Sequence, residues 1–120
     1  MSNVYDNMSN AELEVCNFFK ELKIFWTYEQ PVFLSDDGNR PRIFVPDFYL
    51  PELGVYVEVI GNPKLNDYNR RWEIYMKNNI PIILTLPFND KNWKSKLFDE
   101  IVNIHQLRYE KIKRIQGHWF

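Results

Sequence analysis

The chain has 120 residues with 45% hydrophobic, 26% charged and 17% aromatic side chains, enough for one domain with a modest core. Its net charge of −1 gives no whole-molecule attraction to nucleic acid, and no apolar run is long enough to span a membrane. The polar start MSNVYDNMSN is no signal peptide, and the single cysteine, Cys16, excludes an internal disulfide and a cysteine-rich zinc site; both point to a cytoplasmic, reducing setting.

Residues 1–8 read as a loose, flexible lead-in. Ser9 to Leu22 reads as a helix, because Ser9-Asn10-Ala11-Glu12 fits a capping box and Val15, Cys16, Phe19 and Leu22 form an apolar stripe. Ile24 to Leu34 is β-rich, with Pro31 placing it at an edge or a bulge. SDDGN follows as a turn in which Gly38 can take positive φ. Ile43–Leu50 and Val55–Ile60 flank PELG and read as a hairpin. Asn66 to Asn79 suits a helix, with Tyr68, Trp72, Tyr75 and Met76 on one face. Ile80–Leu86 is a short apolar run, expected as a buried strand. Asp90 to about Ile115 reads as a long amphipathic helix with Trp93, Leu97, Ile101, Ile104, Leu107 and Ile112 as its apolar positions. The order is α-β-β-β-α-β-α, a mixed α/β sheet flanked by helices in a single domain over 1–120.

The hairpin poses a question of charge. If Leu50 pairs with Val55, Asp47 falls opposite Glu58. Like charges about 5 Å apart across a strand pair repel by roughly 3 kcal/mol at an effective dielectric of ~20. A bound cation, protonation of one acid, a nearby Arg or Lys, or a different register would relieve this. In the second strand Val55, Val57 and Val59 face one way, the packed face, while Tyr56, Glu58 and Ile60 face the other. Glu12, at the margin of the first helix's stripe, is a third acid able both to cap its helix and to face a site. Arg71 shares a side of the second helix with Tyr68 and Tyr75, which brings a cation toward the same face. Lys64 can reach in from the loop after Gly61. Glu29 is expected on the surface, and His105 and His118 match no metal-ligand spacing.

Pro46-Asp47, ten residues, then Glu58-Val59-Ile60, behind a helix carrying Glu12, resembles the PD-(D/E)XK nuclease superfamily. The phrases SNAELEVCNFFKEL, TYEQP, VPDFYLPELGVYVEVIG and NNIPIILTL are similar to small members related to very-short-patch-repair-like and homing endonucleases. The resemblance spans residues 9–86. It implies a restriction-endonuclease-like α-β-β-β-α-β core, here with a long C-terminal helix, and a divalent-metal-dependent endonuclease acting on DNA. It also implies Mg²⁺ or Mn²⁺ on Asp47, Glu58 and the Val59 carbonyl, with Glu12 as a supporting acid. The family's Lys two residues after the second acid is Ile60 here, so the catalytic cation would pass to Arg71, with Arg70 and Lys64 behind it. The rival is a catalytically degraded module that binds nucleic acid or a protein. A third reading is a structural subunit in which Asp47 and Glu58 pair with Arg42 and Arg71.

Charge is uneven along the chain. Residues 91–120, the C-terminal helix and tail, hold seven basic and three acidic residues, which points Arg108, Lys111, Lys113 and Arg114 at phosphate. So small a chain is expected to act as a homodimer or larger homo-oligomer.

Overall fold

The computed structural model describes residues 3–60, 65–87 and 90–117. Residues 3–8 of the lead-in are ordered. Val4–Asn7 is a 3₁₀ turn capped by Asn3, Met8 is buried in the core, and Tyr5 packs edge-on against Trp26. Helix α1 spans Asn10–Glu21. Its capping box is formed: the Glu12 N–H donates to Ser9 Oγ at 3.2 Å, and the Ser9 N–H donates back to Glu12 Oε2 at 3.4 Å. Ser9→Ala is expected to cost about 1 kcal/mol of stability, read by urea denaturation. No measurable change would mean that packing alone fixes this helix end.

The β-rich segment is not one strand. Thr27–Tyr28 forms β1, and Val32–Ser35 forms β2. The first hairpin arm is split as well, into β3 (Pro41–Phe44) and β4 (Phe48–Leu50). Pro46 carries no N–H to donate to a ladder, and the strand breaks there. Consequently β2 and β3 pair only with each other, as a separate antiparallel ribbon. In the turn between them, positive φ falls on Asn39 (φ 60) and not on Gly38. The buried Asp36 takes over this turn. Its carboxylate accepts 2.9 Å hydrogen bonds from the Gly38 and Arg40 N–H groups and from Arg42 Nε, which hold it down at a pKa of about 2.

The main sheet has the order β1-β4-β5-β6, with β5 at Val55–Val59 and β6 at Ile82–Thr85. β1, β4 and β5 are antiparallel in turn, and β5 and β6 are parallel. Parallel strands need a crossover, and helix α2 (Leu65–Lys77) supplies it. The expected hairpin register holds, with Leu50 on Val55 and Phe48 on Val57. The turn closes through the Gly54 N–H on the Leu50 carbonyl, and Gly54 has φ +62. Glycine suits this φ, and a Cβ there would lie 2.8 Å from Arg108 Nη1 and displace the flexible guanidinium.

The valine face packs as expected. Val55, Val57 and Val59 meet Val15, Cys16 and Phe19 of α1, and Trp93, Leu97 and Ile101 of helix α3 (Trp93–Gly117). The opposite face forms a smaller core in which Ile74 and Tyr75 of α2 meet Val32, Leu34 and Ile82. Trp72 and Met76 are exposed, so the inward face of α2 runs through Arg71, Ile74 and Tyr75. Leu107 and Ile112, also expected inside, are exposed, because α3 outruns the sheet it packs on. No helix among the described residues is long and apolar enough to cross a membrane.

Candidate active site

The two acids converge where β4 begins. The Asp47 carboxylate accepts a 2.7 Å hydrogen bond from the Val59 N–H, one residue past Glu58 on the facing strand. The Asp47 carbonyl accepts from the Glu29 N–H at 3.0 Å, which ties this point to the end of β1. Glu29 itself is exposed, in line with its expected surface role, and takes φ 56.

Glu58 is 3% exposed and meets Arg71 of α2. Arg71 Nη2 donates to Glu58 Oε1 at 3.3 Å, and Arg71 Nε lies 3.3 Å from Oε2. The second contact is an ion pair without hydrogen-bond alignment, so Glu58 Oε2 and Arg71 Nε are both buried without a hydrogen-bond partner. Phe44 of the ribbon supports the guanidinium, whose carbon lies 4.9 Å from the ring centroid. The Tyr75 hydroxyl interacts with Arg71 and Glu58 but lacks a well-aligned hydrogen bond. Burial, and then the charge on Glu58, push it up to about 12.

Electrostatics follow from this crowding. Burial pushes Asp47 up to about 7; the Val59 N–H pulls it down, while the charges of Glu58 and Glu12 push it further up. Burial also raises Glu58, against the pull of Arg71. The opposed charges are thus relieved twice, by an arginine and by a tendency of Asp47 to hold its proton.

Glu12 comes close enough to act on Asp47, but it is engaged elsewhere. The Tyr28 hydroxyl donates to Glu12 Oε2 at 2.6 Å, the same oxygen that takes the Ser9 N–H. Tyr28 was the residue that sequence reasoning missed here. Glu29 lies just past β1 with φ 56, and its charge also acts on the Tyr28 hydroxyl.

The remaining expected residues divide. Val59 offers its N–H to the Asp47 carboxylate, so this residue sits beside the two acids. Arg70 makes a two-toothed pair with Asp37, Nε at 2.9 Å and Nη2 at 3.0 Å, beside the ribbon turn. Arg42 pairs with Asp36, so it does not serve Asp47. Arg108 donates to the Gly54 carbonyl at 2.9 Å and latches α3 to the hairpin turn, apart from Lys111, Lys113 and Arg114, which are exposed. Lys64 and His118 lie outside the described residues.

The residues fit a divalent cation as a two-carboxylate set. Glu58 Oε2 lacks a hydrogen-bond donor, and among the described residues Asp47 Oδ1 does too. Hard cations such as Mg²⁺ take one or two carboxylates and complete their shell with water and phosphate. No group of three or more His, Cys, Asp or Glu ligands is assembled among the described residues. Comparison with family models, with curated proteins and with solved structures found no match to this chain.

Proposed function

We propose that this protein is a divalent-metal-dependent endonuclease that hydrolyses phosphodiester bonds in DNA, built on a restriction-endonuclease-like core. The observation that carries the reading is the meeting of Asp47 and Glu58 across one hairpin with a guanidinium from the next helix. The topology supports it. With the β2–β3 ribbon set aside, the chain runs α1-β1-β4-β5-α2-β6, which has the α-β-β-β-α-β order of that fold.

Asp47 and Glu58 would hold Mg²⁺ or Mn²⁺, which when bound neutralises phosphate charge and makes water more acidic. Arg71 is always charged and cannot act as a base. Its donors can stabilise charge developing on the phosphoryl oxygens, as the family's Lys would if Ile60 did not stand in its place. Glu12, held by Tyr28 and Ser9, keeps Oε1 as the supporting carboxylate oxygen. Lys111, Lys113 and Arg114, with Arg70 and Arg108 nearer the body, would add phosphate contacts.

The ion pair of Arg71 with Glu58 favours a second reading, in which the arginine has replaced the metal and the fold only binds nucleic acid. Incubation with supercoiled plasmid separates the two. Nicking that requires Mg²⁺ or Mn²⁺ and vanishes in Asp47→Ala is the expected result. Retention of plasmid without cleavage in either metal would leave the binding module.

A further inference from the structure

We propose that α3 pairs antiparallel with α3 of a second copy of this chain. The helix carries two apolar stripes. One, Trp93, Leu97, Ile101 and Ile104, packs on the main core. The other runs Phe98, Val102, His105, Tyr109 and Ile112, in steps of four, three, four and three, the spacing of a coiled-coil seam. This second stripe is open: Phe98 is 45% exposed, Val102 43%, Tyr109 61% and Ile112 55%. From Tyr109 to Arg114 every side chain is exposed, so this half of the helix overhangs the body.

Charge selects the occupant and its direction. One flank of the seam is Ile101, buried in its own core, and Arg108, bound to Gly54. The other flank is Asp99, Gln106 and Lys113, all exposed. In a parallel pair the open flank meets the partner's closed one, which sets Lys113 against the cationic Arg108 and against the folded body. In an antiparallel pair the open flank meets itself, and the closed flanks meet at Arg108, each guanidinium held on its own Gly54 carbonyl. Asp99 then faces Lys113 of the partner subunit, twice, and Gln106 faces Gln106 of the partner subunit. Val102 stacks with Ile112 of the partner subunit, and His105 with Tyr109 of the partner subunit. A phosphate backbone gains nothing from Phe98, Val102 and Ile112, whereas a second copy covers them. The seam is about two heptads long, smaller than the ~800 Å² per partner of a standard interface, so the dimer is weak and concentration-dependent.

Sedimentation velocity of the full chain, in EDTA and without nucleic acid, tests this independently of any nuclease activity. The expected result is a monomer–dimer equilibrium. Val102→Glu with Ile112→Glu abolishes the dimer while the circular dichroism spectrum keeps its native form. Asp99→Lys raises the dissociation constant at least about tenfold, and adding Lys113→Asp restores it. Gln106→Cys forms an interchain disulfide under mild oxidation, Cys16 being buried. A wild-type chain that stays monomeric at high concentration overturns the proposal, as does a dimer that ignores the seam variants. Failure of the double charge reversal to restore pairing overturns the antiparallel arrangement.

Discussion

Asp47→Asn is expected to stabilise the metal-free protein at pH 8 and to weaken Mn²⁺ binding strongly. Burial lifts the Asp47 pKa from 3.8 to about 7, so the native state binds this proton more tightly than the unfolded chain does. The sign follows from linkage. Below about pH 4 the group is protonated in both states and costs nothing. As the pH rises toward 7 the unfolded chain ionises first, and stability falls. Above 7 the cost is complete, about 4 kcal/mol if the whole shift acted alone and nearer 2 given its coupling to Glu58. The amide of Asn at 47 is neutral and can still accept from the Val59 N–H, so it removes the cost. Urea denaturation in EDTA should show the variant more stable at pH 8 and the two proteins converging at pH 4. Calorimetry should show Mn²⁺ affinity at least about tenfold weaker in this variant and in Glu58→Gln. Wild-type affinity in both variants would remove the metal site, and equal stability at pH 8 would remove the electrostatic account.

Arg71→Ala should damage two things at once. Folding suffers first, because the truncation strands the carboxylate of Glu58, a residue that is 3% exposed. Losing one partner of a fully buried pair costs 3–5 kcal/mol; with the Arg71 side chain 38% exposed, screening reduces this to about 2 kcal/mol. Glu58→Gln in the same chain should recover most of it. The cleavage rate, measured well below the melting temperature, should fall by roughly 100-fold, the scale for one donor to transition-state charge. Normal cleavage by Arg71→Ala would turn attention to Lys64. Ile60→Lys, which would return the cation to the family's usual position, must bury an ammonium where Ile60 is 2% exposed, so its rescue can only be partial.

Local signals carried much of this site into the sequence. PELG and the alternation on either side of it set the hairpin register, and the register alone set Asp47 against Glu58. The capping box located α1, and three alternate valines identified the packed face of β5. Long-range pairing was not legible. Residues 32–44 have ordinary strand composition, and nothing local says that they pair only with each other, off the main sheet. For the same reason Phe44 could not be foreseen beneath Arg71, nor Tyr28 on Glu12, since each contact joins elements whose partners were unknown. Sequence does not separate the two adjacent stripes of α2, because Trp72 and Met76, which are exposed, are as apolar as the buried Ile74.

The sheet separates two cores of unequal size. Among the described residues, fifteen buried ones lie in the cluster with α1 and α3, and five in the cluster with α2 and the ribbon. Stability within a protein is not uniform, and regions with few buried apolar contacts open at lower free energy than the whole. The ribbon and α2 are therefore expected to open first, with β5 remaining paired in the larger core. Arg71 and Phe44 belong to the unit that opens, whereas Asp47 and Glu58 stand on the sheet that stays. Hydrogen exchange should therefore show the amides of β2 and β3 exchanging through sub-global openings and those of β4 and β5 only through global unfolding. Each such opening withdraws the guanidinium from Glu58 and leaves both carboxylates in place, giving a cation or a phosphate access to them without unfolding the protein.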